Sequence, residues 1–523
     1  MAEAWTNENT AVFNVKDYGA KGDGSTLDTP AIQAAVDACA RTGGTVLLPP
    51  GTYLSGTIFM KSQVTLHISA GATLLGSTDL KDYPRIKPKF RSYNDAFQTQ
   101  GFIFGENLQN IALVGRGTID GQGGAFKIVN NKKPHRYKDR PFNIWLIACK
   151  NVLVENLTLR NSARWMQHYL ACEDVVIRGI NVFNHCNKNN DMIDIDGCRN
   201  VVVSDCFGDT DDDGITLKST SGRITENVTI TNCVISSHVN AIKLGTESHG
   251  GFRNITISNI VIKPSVSDTL IYGQPNGVGG ITLGMVDGGI LDGVLISNIR
   301  IDGAATPIFM RLGNRGRTYY EGQEKPPVGI FRNVKISNVI ATGASDNGCS
   351  ITGIPGHPIE NVALSDIHIE FAGGGTLELA SKVVPENEDG YPGSRIFGKL
   401  PAYGFFIRHV KGVSLRNMDL SFQKPDQRPA LICDDVQDLN IAGLRAQAAA
   451  ETPSLFRFVD TYEAFITGSR VADPVAVFLY VIGERTKGIS LVTNDLRNAK
   501  QIVEIGTGVK DGAVKLFGNL QNE

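Results

Sequence analysis

The residues best equipped for chemistry stand in three groups near the middle of the chain. Asn189-Asn190-Asp191-Met192-Ile193-Asp194 comes first. Asp209-Thr210-Asp211-Asp212-Asp213-Gly214 follows and runs into Ile215-Thr216-Leu217-Lys218, and the third group is Ser237-His238-Val239-Asn240-Ala241-Ile242-Lys243. Like charges confined to one site do not all ionise easily, so neighbouring carboxylates can keep an acid protonated beside an ionised base at one pH. Hydrolysis of a glycosidic bond asks for that pair: a protonated acid on the leaving oxygen and a carboxylate that helps the attacking water. Carboxylates, one histidine and lysines in succession therefore point to a hydrolytic site on a sugar polymer. An isolated Asp-Asp-Asp run is ordinarily a solvated acidic turn. The spacing to Asp191, with His238 and Lys218, weighs against that here. A calcium loop is a poorer match. Asp209, Asp211, Asp213 and Gly214 fit the first half of an EF-hand, but its twelfth position is Thr220 and no helices flank it, so no metal is expected.

Further candidates lie to either side. His238 reads either as a structural histidine or as part of the site. Lys243 alternates with Ile242 and Leu244, so it points away from the apolar face, toward substrate or merely toward solvent. Trp165 and His168, one repeat before the acidic groups, offer a sugar platform or, for the tryptophan, a core residue. Arg311, Arg315 and Arg317 with Tyr319 and Tyr320 could clamp a carboxylate and stack on a sugar, or form a solvated loop.

Residues so far apart need an element that brings them to one surface. A short phrase recurs: Asn or Asp, apolar, any residue, apolar. It occurs at Asn110-Ile111-Ala112-Leu113, Asn151-Val152-Leu153-Val154, Asp174-Val175-Val176-Ile177, Asn200-Val201-Val202-Val203, Asn227-Val228-Thr229-Ile230 and Asn254-Ile255-Thr256-Ile257. Later copies include Asn333-Val334-Lys335-Ile336, Asn361-Val362-Ala363-Leu364 and Gly412-Val413-Ser414-Leu415. The period is roughly 23 to 28 residues, in the range of stacked repeats, and the alternation is that of strands. This predicts an all-β chain coiled as a right-handed parallel β-helix, with asparagines stacked at the bends. Neighbouring strands of such a coil lie about 4.8 Å apart, which would set Asp191 beside the Asp212–Asp213 pair. One helix is expected near the start, with Thr29 as N-cap, Pro30 at the first position and Ile32, Ala35, Val36 and Cys39 inward, covering the first coil. The repeats run to the end, so one elongated domain, residues 1–523, is expected. Its parts are a cap region at 12–60, the best-matching coils at 61–370, and further coils with a long insertion at 371–523. Long gaps at 81–99, 122–141, 315–327 and 373–401 read as loops that build a groove.

Composition narrows the functional classes. Net charge is −2 over 523 residues with no basic face, so no nucleic acid partner is expected, and no apolar run approaches a membrane span. Nine cysteines without CxxC spacing argue against a zinc site and a disulfide framework. Met1-Ala2-Glu3-Ala4-Trp5 shows no leader pattern. Two expectations stay open: a cytoplasmic protein, or a secreted or periplasmic one whose leader has been removed.

At these residues the chain resembles the polygalacturonase family, glycoside hydrolase family 28. Asn189-Asn190-Asp191-Met192 looks like that family's Asn-Thr-Asp-Gly segment, Asp212-Asp213 like its aspartate pair, and Ser237-His238-Val239 like its Gly-His-Gly. The opening from Phe13 to Gly24 and the Asp28–Gln33 stretch are also similar. The resemblance implies an inverting hydrolase of a pectic polysaccharide that needs no cofactor. In it Asp212 is the general acid, Asp191 and Asp213 position and activate water, and His238 tunes the acid. The expected substrate-contacting set is Asn189, Lys218, Lys243, Trp165, His168 and Arg311. Two departures stand out. Met192 replaces a glycine, and its side chain is expected to fill part of the cleft. The family's Arg-Ile-Lys, implied to hold a galacturonate carboxylate, gives way to Gly279-Gly280-Ile281-Thr282. This favours a neutral or deoxy sugar in the reacting subsite, as in rhamnogalacturonan, unless Lys243 or Arg311 substitutes. A calcium-dependent polysaccharide lyase and a non-catalytic glycan-binding solenoid are the alternatives.

Overall fold

The computed structural model describes residues 11–93, 97–132, 135–318 and 322–522. The Met1–Trp5 start and the Tyr319–Tyr320 pair lie outside them. By its contacts the chain forms two compact units, Met1–Asp212 and Asp213–Glu523. The fold is a right-handed parallel β-helix.

In the first unit the recurring phrase forms one column of strands: Val64–Ile68, Gln109–Gly115, Lys150–Glu155, Glu173–Arg178 and Arg199–Ser204, each paired in parallel with the next. The register aligns Ile111, Val152, Val175 and Val201, all buried. Each such side chain contributes roughly 1.5 to 3 kcal/mol by leaving water. A second column, Gly101–Glu106, Phe142–Ile147, Gln167–Leu170 and Ile193–Asp196, leads to the first acidic group. A third, Thr118–Asp120, Thr158–Arg160, Asn181–Asn184 and Phe207–Thr210, leads to the second.

In the second unit one column is built of long bent strands: Thr225–Ser237, Gly251–Ile262, Ile290–Asp302, Ile330–Ala344 and Ile359–Gly373. Alongside run Ile215–Ser219, Asn240–Ser248, Gly279–Met285, Thr306–Leu312 and Cys349–Thr352.

The bends explain the asparagines that open the phrase, such as Asn151 and Asn254, and those that follow it after a serine, such as Asn259, Asn298 and Asn338. Asn151, Asn254, Asn259, Asn298 and Asn338 all hold φ between 53° and 57°, a left-handed conformation that asparagine tolerates better than other residues with side chains. Their amides stack from coil to coil: Asn151 donates to Asn110 at 2.7 Å, Asn254 to Asn227 at 3.1 Å, Asn259 to Asn232 at 3.2 Å, Asn298 to Asn259 at 3.0 Å and Asn338 to Asn298 at 2.7 Å. Asn200 donates to Asp174, and Asn417 to Asp366, both at 2.9 Å.

The helix spans Thr29–Cys39 and buries Ile32, Ala35, Val36 and Cys39 against the first strands, as expected. Its N-cap is Asp28 rather than Thr29. The Asp28 carboxylate accepts instead from the amides of Lys21 and Gly22, and the Thr29 hydroxyl from that of Gly56. All nine cysteines are free thiols, eight of them buried. Among the described residues no helix is long and apolar enough to cross a membrane.

Candidate active site

In the first unit, the chain turns between Asn184 and Ile193 before entering the strand Ile193–Asp196. Asn190 builds that turn. Its buried amide accepts from the backbone N–H groups of Cys186 and Asn187 and donates to the carbonyls of Ser162 and Arg164. Asp191 follows, buried, its own carbonyl accepting from Met166 N–H at 3.0 Å. Asn189, with φ 58°, turns its side chain the other way and donates to Asp212 Oδ2 at 3.2 Å. The Asn189 side-chain Oδ1 accepts in turn from Arg140 Nη2 at 3.2 Å.

Arg140 comes from the 122–141 loop and also donates to the carbonyls of Ala163 and Lys188. Burial pushes its pKa down to about 10, opposed in part by Tyr137, Asp191 and Asp212. Arg164 is fully buried beneath, its cation 4.2 Å from the Phe142 ring centre and 4.9 Å from that of Trp165. Burial, then the Arg140 charge, lower it to about 9, while Asp194 and Asp191 pull the other way. Two buried guanidinium groups thus lie in the electrostatic field of Asp191.

Trp165 and His168 belong to a covered aromatic layer with Phe142 and Trp145, against which Ile86 and Phe90 of the 81–99 loop pack. Both are buried, and His168 Nε2 meets Asp196 at 3.0 Å. This placement does not present the Trp165 face as an open sugar platform. Met192 is also fully buried, and its sulfur lies 2.2 Å from where a Cβ on Gly208 would stand. The expectation that Met192 fills the cleft is therefore corrected: the side chain fills the coil interior, and Gly208 on the strand Phe207–Thr210 makes room for it.

In the second unit, Asp213 opens the turn into the strand Ile215–Ser219. A Cβ on Gly214 would come within 2.4 Å of the Ala241 carbonyl oxygen, so glycine is what lets this turn approach the next coil, where Gly214 N–H reaches Asn240 O at 2.7 Å. Both oxygens of Asp213 are engaged there: Oδ1 accepts from Asn240 Nδ2 at 2.6 Å and Oδ2 from Lys243 Nζ at 2.5 Å. Asn240 is oriented by Thr282 Oγ1 at 2.9 Å. Lys243 leaves the apolar face, as its alternation predicts, and its ammonium is also 3.3 Å from Tyr391 Oη. His238 is buried in the turn between the strands Thr225–Ser237 and Asn240–Ser248, its carbonyl accepting from Gln274 N–H at 2.9 Å.

Lys218 lies 3.6 Å from Glu247, which also meets Arg317 at 3.0 Å. Burial works against the Glu247 charge, yet Lys218, Arg317, Arg315 and Lys243 together hold its pKa well below the usual range. Arg315 is forked onto Asp287 at 3.0 and 2.6 Å. Arg311 is buried and donates to the carbonyls of Gly353, Glu386 and Asn387. It meets the 374–404 loop from beneath. Arg140, Glu247 and Tyr391 were not anticipated. Arg140 and Tyr391 are lone residues in loops without repeat, far in sequence from the groups they meet, so no spacing signal marks them; Glu247 lies on the repeat strand Asn240–Ser248, one coil after Lys218, a spacing that could have marked it.

Comparison with known proteins completes the description. The family model for glycosyl hydrolases family 28 matches residues 39–387. A probable polygalacturonase of Vitis vinifera is 35% identical over 214 residues, 39% of this chain and 43% of that protein. An exo-poly-alpha-D-galacturonosidase of Dickeya chrysanthemi is 30% identical over 261 residues, 40% and 42% respectively. The chain therefore spans less than half the length of these curated relatives. Among solved structures, an exopolygalacturonase from Thermotoga maritima aligns with a TM-score of 0.60 at 20% identity, covering 79% of this chain and 92% of that one. A polygalacturonase from Erwinia carotovora aligns at 0.52 and 19%, covering 69% and 93%. At those identities the likeness is one of fold.

Proposed function

This chain belongs to glycosyl hydrolases family 28, and from that premise we propose that it hydrolyses a pectic polysaccharide with inversion at the anomeric carbon. Asp212 is the general acid and gives its proton to the glycosidic oxygen as the bond to the anomeric carbon breaks. Asp213 and Asp191 take a proton from the water that attacks the opposite face, so the products are a new reducing end of inverted configuration and the released alcohol. The observation that carries this reading is the engagement of Asp213. Its two oxygens accept from an amide and an ammonium, donors that cannot accept in return, which makes it the acceptor of the pair. The Asp212 carboxyl is oriented by Asn189, itself held by Arg140. His238 is assigned the role of tuning the acid, and Lys243 and Lys218 a place at the substrate.

The substrate assignment rests on cations already committed. Arg311 spends its donors on loop carbonyls and Lys243 an ammonium hydrogen on Asp213, so neither stands in simply for the missing Arg-Ile-Lys. A pectic chain with a neutral or deoxy sugar at the reacting subsite, of the rhamnogalacturonan kind, fits better than plain polygalacturonate. Proton NMR of the first-formed product, run on rhamnogalacturonan and on polygalacturonate, tests both halves. Inverted product, formed faster from rhamnogalacturonan, is expected. A retained anomer would remove the assigned roles, an unsaturated product absorbing in the ultraviolet would mean a lyase, and preference for polygalacturonate would overturn the substrate assignment.

A further inference from the structure

We propose that Tyr391, at the tip of the 374–404 loop, is a substrate-contacting residue that selects a sugar with an apolar face. The inference rests on the hydrolase reading above and deepens it. Tyr391 reaches Lys243 from 148 positions along the chain, with Oη 3.3 Å from Nζ and Nζ 5.8 Å from the ring centre. Lys243 is 4% exposed and Asp213 3%, whereas Tyr391 is 50% exposed. The loop thus sets a half-open aromatic face directly over a buried lysine–aspartate pair. An aromatic ring with one polar end suits a place where one side is apolar and the other wet, and the C–H face of a sugar is such a partner.

The placement is built rather than incidental. Arg311 and Arg408, both buried, donate to the backbone carbonyls of residues 384 to 387, just before the tip. Burying a guanidinium is costly unless its donors are met, and here two are spent on fixing one loop. On the far side of the tip, Pro392 seats on Gly284, where a Cβ would stand 3.3 Å from the proline ring. Gly284 closes the Gly279–Gly284 stretch that stands where the family's basic pair is expected. Pro392 thus ties the loop to a strand that lacks the family's cations, and the neighbouring Tyr391 ring offers an apolar contact in place of a charge-reading one. That favours a deoxy sugar, whose methyl group and ring hydrogens pack on an aromatic face, over a uronate.

The test uses the full chain, an alternating galacturonate–rhamnose tetrasaccharide and trigalacturonate. Tyr391→Ala is expected to raise KM for the tetrasaccharide by about ten-fold, the worth of one lost packing contact, with kcat changed by less than about three-fold. Tyr391→Phe, which keeps the ring, should stay within about two-fold of the parent. Calorimetric Kd values in an Asp212→Asn background report binding independently of turnover. Unchanged KM and Kd in Tyr391→Ala would overturn the proposal, as would a Phe variant as damaged as Ala, because the hydroxyl on Lys243 would then be the working part. Equal losses on both sugars would overturn the selectivity. If the parent binds the tetrasaccharide without cleaving it, the hydrolase reading falls and the Tyr391 proposal is decided by Kd alone. If the parent neither binds nor cleaves either sugar, both fall.

Discussion

Asp213 accepts from Asn240 and Lys243 through different oxygens, so the two donors do different work. Lys243→Met removes the cation and leaves a buried carboxylate without its ammonium, a change that typically costs about 3 to 5 kcal/mol when one partner of a buried pair is deleted. Asp213→Asn removes the acceptor charge and retains a side chain of the same shape. Turnover should fall by roughly 10² to 10⁴ in Asp213→Asn and comparably in Lys243→Met. The double variant should be scarcely slower than either single one, because groups that act as a unit do not lose additively. Steady-state rates of the three variants, with denaturant titrations to follow stability, check this. Additive losses would mean that Lys243 acts at the substrate alone and not also through Asp213.

The bend asparagines make the corresponding case for the elements. Asn298, at φ 57°, donates to Asn259 and accepts from Asn338. Asn298→Ala should destabilise by about 1 to 3 kcal/mol, the sum of a left-handed backbone cost of ~1 to 2 kcal/mol and partly solvated hydrogen bonds. Asn298→Gly should lose less, since glycine adopts that φ without strain. Rates should be unchanged in both, and an equal loss in Ala and Gly by chemical denaturation would assign the effect to the amide alone. This local physics is why the coil was legible in the sequence: one asparagine sets the bend and the next apolar residues point inward, so a few letters carry each turn. The acidic groups were legible because they follow that count. Loop chemistry was not. Arg311 and Arg408 bind backbone carbonyls, which every residue has, so nothing in residues 384 to 387 announces a partner. Arg140 reaches the backbone carbonyls of Ala163 and Lys188 across 23 and 48 positions with as little warning. Met192 and Gly208 are a size exchange across a coil, invisible until the register is known. At the helix start, two residues able to cap stood side by side, and the turn amides of Lys21 and Gly22 claimed the carboxylate of the one that caps.

For the molecule as a whole, the buried charges bear on stability in acid. Glu247 has its pKa held well below the usual 4.5: burial opposes the charge, but Lys218, Arg317, Arg315 and Lys243 outweigh it. A depressed folded-state value means that the carboxylate contributes stability above the unfolded value near pH 4.5, and that this contribution is lost as the pH falls toward the folded one. Melting temperature followed from pH 6 downward should therefore drop less steeply in Glu247→Gln than in the parent, from a lower starting point at pH 6. Parallel curves would remove Glu247 from the acid response. The stacked amides carry a different liability, one of storage time. In every Asn–Asn pair described here the later side chain donates and the earlier accepts, and Asn259 and Asn298 do both. An aspartate accepts equally well but has nothing to donate, and Asp174 and Asp366 stand where a stack receives from Asn200 and Asn417. Slow conversion of asparagine to aspartate in solution would thus be absorbed at Asn110, which receives from Asn151. At Asn259 or Asn298 the same loss of ammonia would cut a stack in its middle and place a fixed charge there. Preparations of this protein should age by position, with the interior of each amide stack the first place to look for damage.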